Sequence, residues 1–127
     1  MTLAPALLVP GDGEFARLKL GNGSEVATRV LRAGLPAQGL MMGVRPEAVR
    51  VVGGGDATTT ARVELVERLG ERTLIYAKLS DGQAITGEDE GYSRIAINDE
   101  VGLKIDGASA YIFGDDGVGY HAERRAS

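Results

Sequence analysis

A chain of 127 residues is the size of one ordinary domain and can bury about two-thirds of the surface its unfolded form exposes. It has no cysteine, which excludes a disulfide framework, a thiolate zinc site, an iron–sulfur cluster and a cysteine nucleophile, and accords with a reducing cytoplasm. Its 18 acidic residues outnumber 14 basic ones for a formal charge of −4, and the two signs are mixed along the chain, which argues against a surface that binds nucleic-acid phosphates by counterion release.

The N-terminal segment MTLAPALLVPG lacks basic residues, and Pro5 and Pro10 break its apolar run, so it reads as neither a signal peptide nor a membrane span. Beyond it, short alternating runs bounded by glycine recur and helical periodicity is not sustained, so the class is all-β. Nineteen glycines, about twice the usual share of about 7%, and only six aromatic residues suggest tight turns around an aliphatic core. Glu14 to Leu20 (EFARLKL) places Ala16, Leu18 and Leu20 on one face and Phe15, Arg17 and Lys19 on the other. Its hairpin partner is Glu25 to Leu31, across a turn whose Asn22-Gly23 step accepts positive φ. A loop follows from Ala33 to Gly39.

Gly43 to Val49 (GVRPEAV) stands out. Arg45 must be extended because proline follows, and Pro46 then starts a turn or a single helical turn with Glu47 in its electropositive first positions. The two charges on this rigid corner either tie it to neighbouring strands or serve as a docking feature. Gly53 to Ala57 is a flexible tip joining two strands. In the long strand Thr59 to Leu69, Ala61, Val63 and Leu65 face inward against Arg62 and Glu64, and the alternation slips at Val66, which marks a bulge or a sharp bend.

The pentapeptide LSDGQ at 79 to 83 is one letter from LSGGQ, the signature by which ATP-binding cassette subunits grip a nucleotide phosphate from a helix N-terminus. Here Thr73 to Leu79 and Ala84 to Thr86 flank it as strands, so Asp81-Gly82 is a hairpin turn. No GxxxxGKS/T loop exists to cradle phosphates. KLSDGQAIT lies over KLGNGSEVAT at Lys19 to Thr28 with one residue deleted, either a faint repeat of two halves or the shared grammar of hairpins. A loop is expected over Gly87 to Arg94, a strand over Val101 to Ile105 with Val101, Leu103 and Ile105 inward, then strand, turn and strand over Tyr111 to Val118, and a frayed tail over His121 to Ser127.

Two acidic clusters, Glu88-Asp89-Glu90 and Asp115-Asp116, lack the alternate spacing and closing glutamate of a calcium loop and read as a solvated loop and a turn. His121 is the only histidine, so no His₂ metal site is available and any histidine base rests on it. There is no GxSxG elbow, and nothing positively supports a paired-carboxylate mechanism. Phe15, Tyr76, Tyr92, Tyr111, Phe113 and Tyr120 do not cluster in sequence with arginines except at Tyr92-Ser93-Arg94, a weak signal for base stacking.

Four segments in order, GVRPEAV, ARVELVERLGERTLIYAKLSDG, INDEVGLKID and AYIFGDDG, resemble the C-terminal region of MalK-like ATP-binding subunits of sugar importers, the TOBE or transport-associated OB-fold domain. Arg45, Pro46 and Glu47 match its first element, and Glu67, Leu69, Gly70, Glu71 and Thr73 match its second. Asn98 to Val101 match the third loosely, and Ile112, Phe113 and Gly117 match the last. The resemblance covers residues 40 to 120 well and the first 40 by pattern. It implies one domain, an OB-like β-barrel with extra strands from residues 1–40, the core motifs over 41–120 and a tail over 121–127.

The resemblance further implies a regulatory and dimerisation domain of an importer ATPase subunit for carbohydrate or glycerol-phosphate uptake, cytoplasmic and peripheral to the membrane. Its partners would be a second copy, the ATPase domain, the membrane subunits and a regulatory protein, with no nucleic acid. The chain itself carries no cofactor, ATP and Mg belonging to the implied ATPase domain, and no catalytic or metal residue. Arg45, Pro46, Glu47, Glu64, Glu67, Leu69 and Gly70 are the expected interface or regulator contacts. The alternative is a free-standing module that binds an oxyanion or sugar.

Overall fold

The structure is a computed structural model in which residues 1–120 are described. Eleven strands follow in chain order: β1 Thr2–Leu8, β2 Phe15–Leu20, β3 Glu25–Leu31, β4 Leu40–Val44, β5 Val49–Val52, β6 Thr59–Arg68, β7 Arg72–Lys78, β8 Ala84–Glu90, β9 Glu100–Ile105, β10 Tyr111–Phe113 and β11 Gly119–Tyr120. Short 3₁₀ turns at Pro46–Ala48, Gly54–Asp56 and Gly107–Ser109 are the helical elements among the described residues. The chain is all-β, as its glycine-bounded alternating runs require.

Strands β5, β8, β7, β6 and β9 form a closed barrel in that order, the five-stranded OB-like unit, and the remaining six form a sheet in the order β11, β10, β4, β1, β2, β3. Closure comes from β9 pairing antiparallel with β5, and from β5 meeting β8 in parallel at Arg50 and Glu88. A closed barrel leaves no strand edge to recruit another chain. The extra strands come chiefly from the N-terminal 44 residues. Pro5 does not prevent β1, whose Thr2, Ala4 and Ala6 point inward, because its fixed φ lies in the extended range.

One hydrophobic cluster runs through both units, from Leu18, Val26 and Met42 in the sheet to Val49, Val63, Ile75 and Leu103 in the barrel. Polar ties close the seam. The Thr86 amide donates to Thr2 Oγ1 at 3.0 Å, Gln83 Nε2 to the Leu3 carbonyl at 3.1 Å, and Asn22 Nδ2 and Ser24 Oγ both reach Thr59 Oγ1 at 2.8 Å.

The two hairpin turns are built alike. In each, the glycine has positive φ, Gly23 at 91° and Gly82 at 89°, and the preceding side chain, Asn22 or Asp81, accepts from the amide two residues on. The LSDGQ segment is therefore a turn between β7 and β8.

Two expectations are corrected. The slip in β6 falls between Val63 and Leu65 rather than at Val66, so Leu65 is 53% exposed instead of inward. The cause is a change of partner: β6 pairs with β9 as far as Arg62, Val63 bonds the Asn98–Asp99 backbone, and beyond it only β7 remains beside the strand. Residues 87–90, expected in a loop, are strand, because register with β7 sets Gly87 opposite Ile75 and Glu90 opposite Arg72. Pairing here overrides the low strand preference of Gly, Asp and Glu. Gly53 to Ala57 joins β5 to β6 as expected, and within it Gly54–Asp56 form a 3₁₀ turn closed by the Asp56 amide on the Gly53 carbonyl at 3.0 Å. The tail reading for His121 to Ser127 lies outside the described residues.

Candidate interaction surfaces

The Arg45 corner is built as the proline demands. Arg45 is extended at φ −82° and ψ 154°, Pro46–Ala48 form one 3₁₀ turn, and the Ala48 amide returns to the Arg45 carbonyl at 2.9 Å. Buried Ala48 and Val49 anchor the turn, while Arg45 and Glu47 are exposed. Among the described residues neither charged side chain makes a hydrogen bond or an ion pair. The charges therefore do not tie the corner to neighbouring strands; a rigid backbone holds them out to solvent.

The hairpin of β6 and β7 presents the second group. Glu64, the extra residue of the bulge, lies 3.8 Å from Lys78 Nζ, and both side chains are about half exposed, so the pair contributes little to stability. Glu67 Oε1 accepts from the Tyr76 hydroxyl at 3.2 Å. Desolvation, then the Glu67 charge and this hydrogen bond, raise the Tyr76 phenol above its usual range. Leu69 is 47% exposed at the tip, where Gly70 takes φ 90°. The tip is braced from behind: Gly91 packs against the Gly70 carbonyl, and the Arg68 guanidinium donates to the carbonyls of Ser93 and Ile95.

From Glu64 to Arg68 the strand climbs about 13 Å before the turn at Leu69 and Gly70, so these residues make a stripe rather than a pocket. No hydrogen bond or ion pair among the described residues joins this stripe to the Arg45 corner. Exposed Leu65 belongs to the stripe and escaped the sequence reading, because two adjacent apolar residues, Leu65 and Val66, conceal which one a bulge turns outward.

No group of three or more His, Cys, Asp or Glu among the described residues is placed to hold a metal ion. Glu88 pairs with Arg72 at 3.6 Å, and Asp116 Oδ1 accepts the Val118 amide within a turn. A cleft of about 390 Å³ on the barrel mixes Arg62 and Lys78 with Glu64 and Glu100, so neither sign of ligand charge is favoured there. Arg29 lies 4.5 Å over the Phe15 ring, a contact between paired strands that spacing along the chain does not reveal. The other arginines near it are committed: Arg17 to Glu25 at 3.6 Å, and Arg32 to the Val9 carbonyl at 2.7 Å and that of Gly13 at 3.1 Å.

The four motifs thus fall at the entry to β5, the β6–β7 hairpin, the entry to β9 and the β10 turn. Residues 42–113 match the TOBE domain family. The chain is similar to the sn-glycerol-3-phosphate import ATP-binding protein UgpC of Brucella abortus (strain 2308), 35% identical over 88 residues, 65% of this chain and 25% of that protein. It is similar to the alpha-glucoside transport ATP-binding protein AglK of Rhizobium meliloti (strain 1021), 31% identical over 124 residues, 96% of this chain and 34% of that protein. The lactose transport ATP-binding protein LacK of Rhizobium radiobacter is 30% identical over 122 residues, 92% of this chain and 33% of its own length. The chain spans about a quarter to a third of the length of these relatives. With its barrel, its ordered motifs and these matches in agreement, the chain belongs to the TOBE domain family, in the MalK-like branch found in ATP-binding subunits for sugar and glycerol-phosphate transport.

Proposed function

We propose that this chain is the regulatory and dimerisation part of an ABC importer ATPase subunit for carbohydrate or glycerol-phosphate uptake, and that it hydrolyses no ATP by itself. The observation that carries this reading is the partial match: the relatives are named ATP-binding proteins, yet the chain corresponds to 25–34% of each and has no phosphate-binding loop of its own. ATP and Mg would be held by the remainder of such a subunit. The chain's part is to pair with a second copy, to transmit that pairing to the ATPase domain and membrane subunits at the cytoplasmic face, and to receive a regulatory protein.

Arg45, Pro46 and Glu47 at the corner, and Glu64, Glu67, Leu69 and Gly70 along the hairpin, are the contacts assigned to those partners. Two exposed charges, unpaired among the described residues, sit on a backbone corner that needs no rearrangement before they dock, which keeps the ordering cost of association low. Calorimetric titration of the chain with Mg–ATP, molybdate, sulfate and maltose tests the reading. No heat of binding is expected from any of them. Saturable heat with sulfate, molybdate or maltose would make the chain a small-ligand module, and saturable heat with Mg–ATP would give it a nucleotide site.

A further inference from the structure

We propose that the cleft between the β1–β2 loop and the irregular stretch of β3 binds a small organic monocarboxylate, with Arg29 as the anchor of its carboxylate. This goes beyond the importer reading, which requires no small ligand. The cleft measures about 680 Å³, within the range of about 300–1,000 Å³ usual for small-molecule sites, and Val9, Pro10 and Phe15 give it apolar wall.

The pairing of β2 with β3 decides where Arg29 stands. Phe15 lies opposite Leu31 and Arg17 opposite Ala27, so Ala16 alone answers Thr28, Arg29 and Val30. The irregularity has bonds of its own: Thr28 Oγ1 donates to the Ala16 carbonyl at 2.7 Å and accepts the Val30 amide at 3.2 Å. A bulge of this kind re-aims a side chain, and here the Arg29 guanidinium comes to 4.5 Å over the Phe15 ring. That contact uses the cation's charge and none of its five N–H donors. Among the described residues Arg29 makes no hydrogen bond and no ion pair, although it is half-buried. A guanidinium held in place and partly removed from water, with its donors unspent, suits the two oxygens of a carboxylate, which it can bind bidentately.

The other wall is fixed by the neighbouring arginine. Arg32 donates to the carbonyls of Val9 at 2.7 Å, Gly13 at 3.1 Å and Phe15 at 3.5 Å, and its amide bonds the Glu14 carbonyl at 2.9 Å. The loop from Val9 to Glu14 is thereby set before a ligand arrives, which keeps the ordering cost of binding low.

Charge selects the ligand class. Arg17 lies 3.6 Å from Glu25 and Arg32 is spent on carbonyls, which leaves Arg29 as the uncommitted guanidinium of the lining among the described residues. Asp12 and Glu14 share that lining, so one negative charge is matched while a dianion such as sulfate or molybdate is opposed. The apolar wall favours a carboxylate that carries a hydrocarbon or aromatic body.

Titration of the isotope-labelled chain with benzoate, followed through its amide resonances, tests the site. Benzamide keeps the shape without the charge, acetate the charge without the body, and sulfate carries a double charge. The expected result is saturable shifts centred on residues 9–17 and 27–32 with benzoate, and binding weaker by about tenfold or more with the other three. Arg29→Gln should weaken benzoate by a similar factor while its spectrum stays that of the folded chain. Arg29→Lys keeps a cation but loses the fork, so it should weaken benzoate as well, and it serves if the glutamine variant does not fold. Absence of saturation, shifts centred elsewhere, benzamide or sulfate binding as tightly as benzoate, or undiminished binding in the folded variants would each overturn the proposal. None of these results touches self-pairing, which mass measurements decide separately.

Discussion

Arg45 and Glu47 show how a residue's role follows from what its neighbours leave undone. Proline at position 46 fixes the backbone, Ala48 and Val49 supply the anchor, and nothing among the described residues neutralises the two charges. Exchanging them, Arg45→Glu with Glu47→Arg, should change urea-unfolding stability by no more than about 0.5 kcal/mol, as is usual for exposed residues without partners. If the proposed function holds, the same exchange in a full-length importer subunit should alter how ATPase activity couples to transport. Unchanged coupling would remove the corner from the docking surface.

Tyr76 offers a second test at this scale. Its folded-state pKa is raised by burial first and by Glu67 next, so the fold favours the neutral phenol. That contribution to stability is whole below about pH 10 and is lost as pH rises through the folded-state pKa. Spectrophotometric titration at high pH should show late titration of Tyr76 and also of Tyr92, whose phenol is raised by its hydrogen bond to Glu90, and Glu67→Gln should return only the Tyr76 contribution toward the usual range. The corner was legible in the sequence because proline dictates local geometry. The Tyr76–Glu67 contact was not, because it depends on a bulge whose position only the partner strands decide.

Elements here are specified as much by pairing as by composition. Both hairpins were readable from Asn-Gly and Asp-Gly, and the common turn geometry suffices to explain the likeness of KLGNGSEVAT and KLSDGQAIT without deciding descent. At φ 89°, Gly82 has open space where a side chain would stand, yet a backbone that disfavours one, so Gly82→Ala should cost about 1 kcal/mol in chemical denaturation. Strand β8 shows the limit of composition. Gly87 to Glu90 carries poor strand formers, and it is strand because β7 lies alongside and Arg72 faces Glu88.

For the whole molecule, the continuity of the core from sheet to barrel is the governing fact. Met42→Ala in the sheet should destabilise by about 2–5 kcal/mol, and Val63→Ala in the barrel should also destabilise. Both should shift one common unfolding transition, followed by far-UV circular dichroism and tyrosine fluorescence together. Separate transitions would mean that the sheet and the barrel unfold as two units. The barrel was anticipated through four motifs in order, but the six-stranded sheet was not. Prolines at positions 5 and 10 obscured β1, and no local signal reveals that β1, β4 and β10 are neighbours.

Sedimentation equilibrium of the unaltered 127-residue chain over a wide concentration range would show whether it pairs with itself. A weight-average mass that climbs with concentration toward twice the monomer value is the predicted result. A single monomer mass at every concentration would contradict a self-pairing regulatory domain.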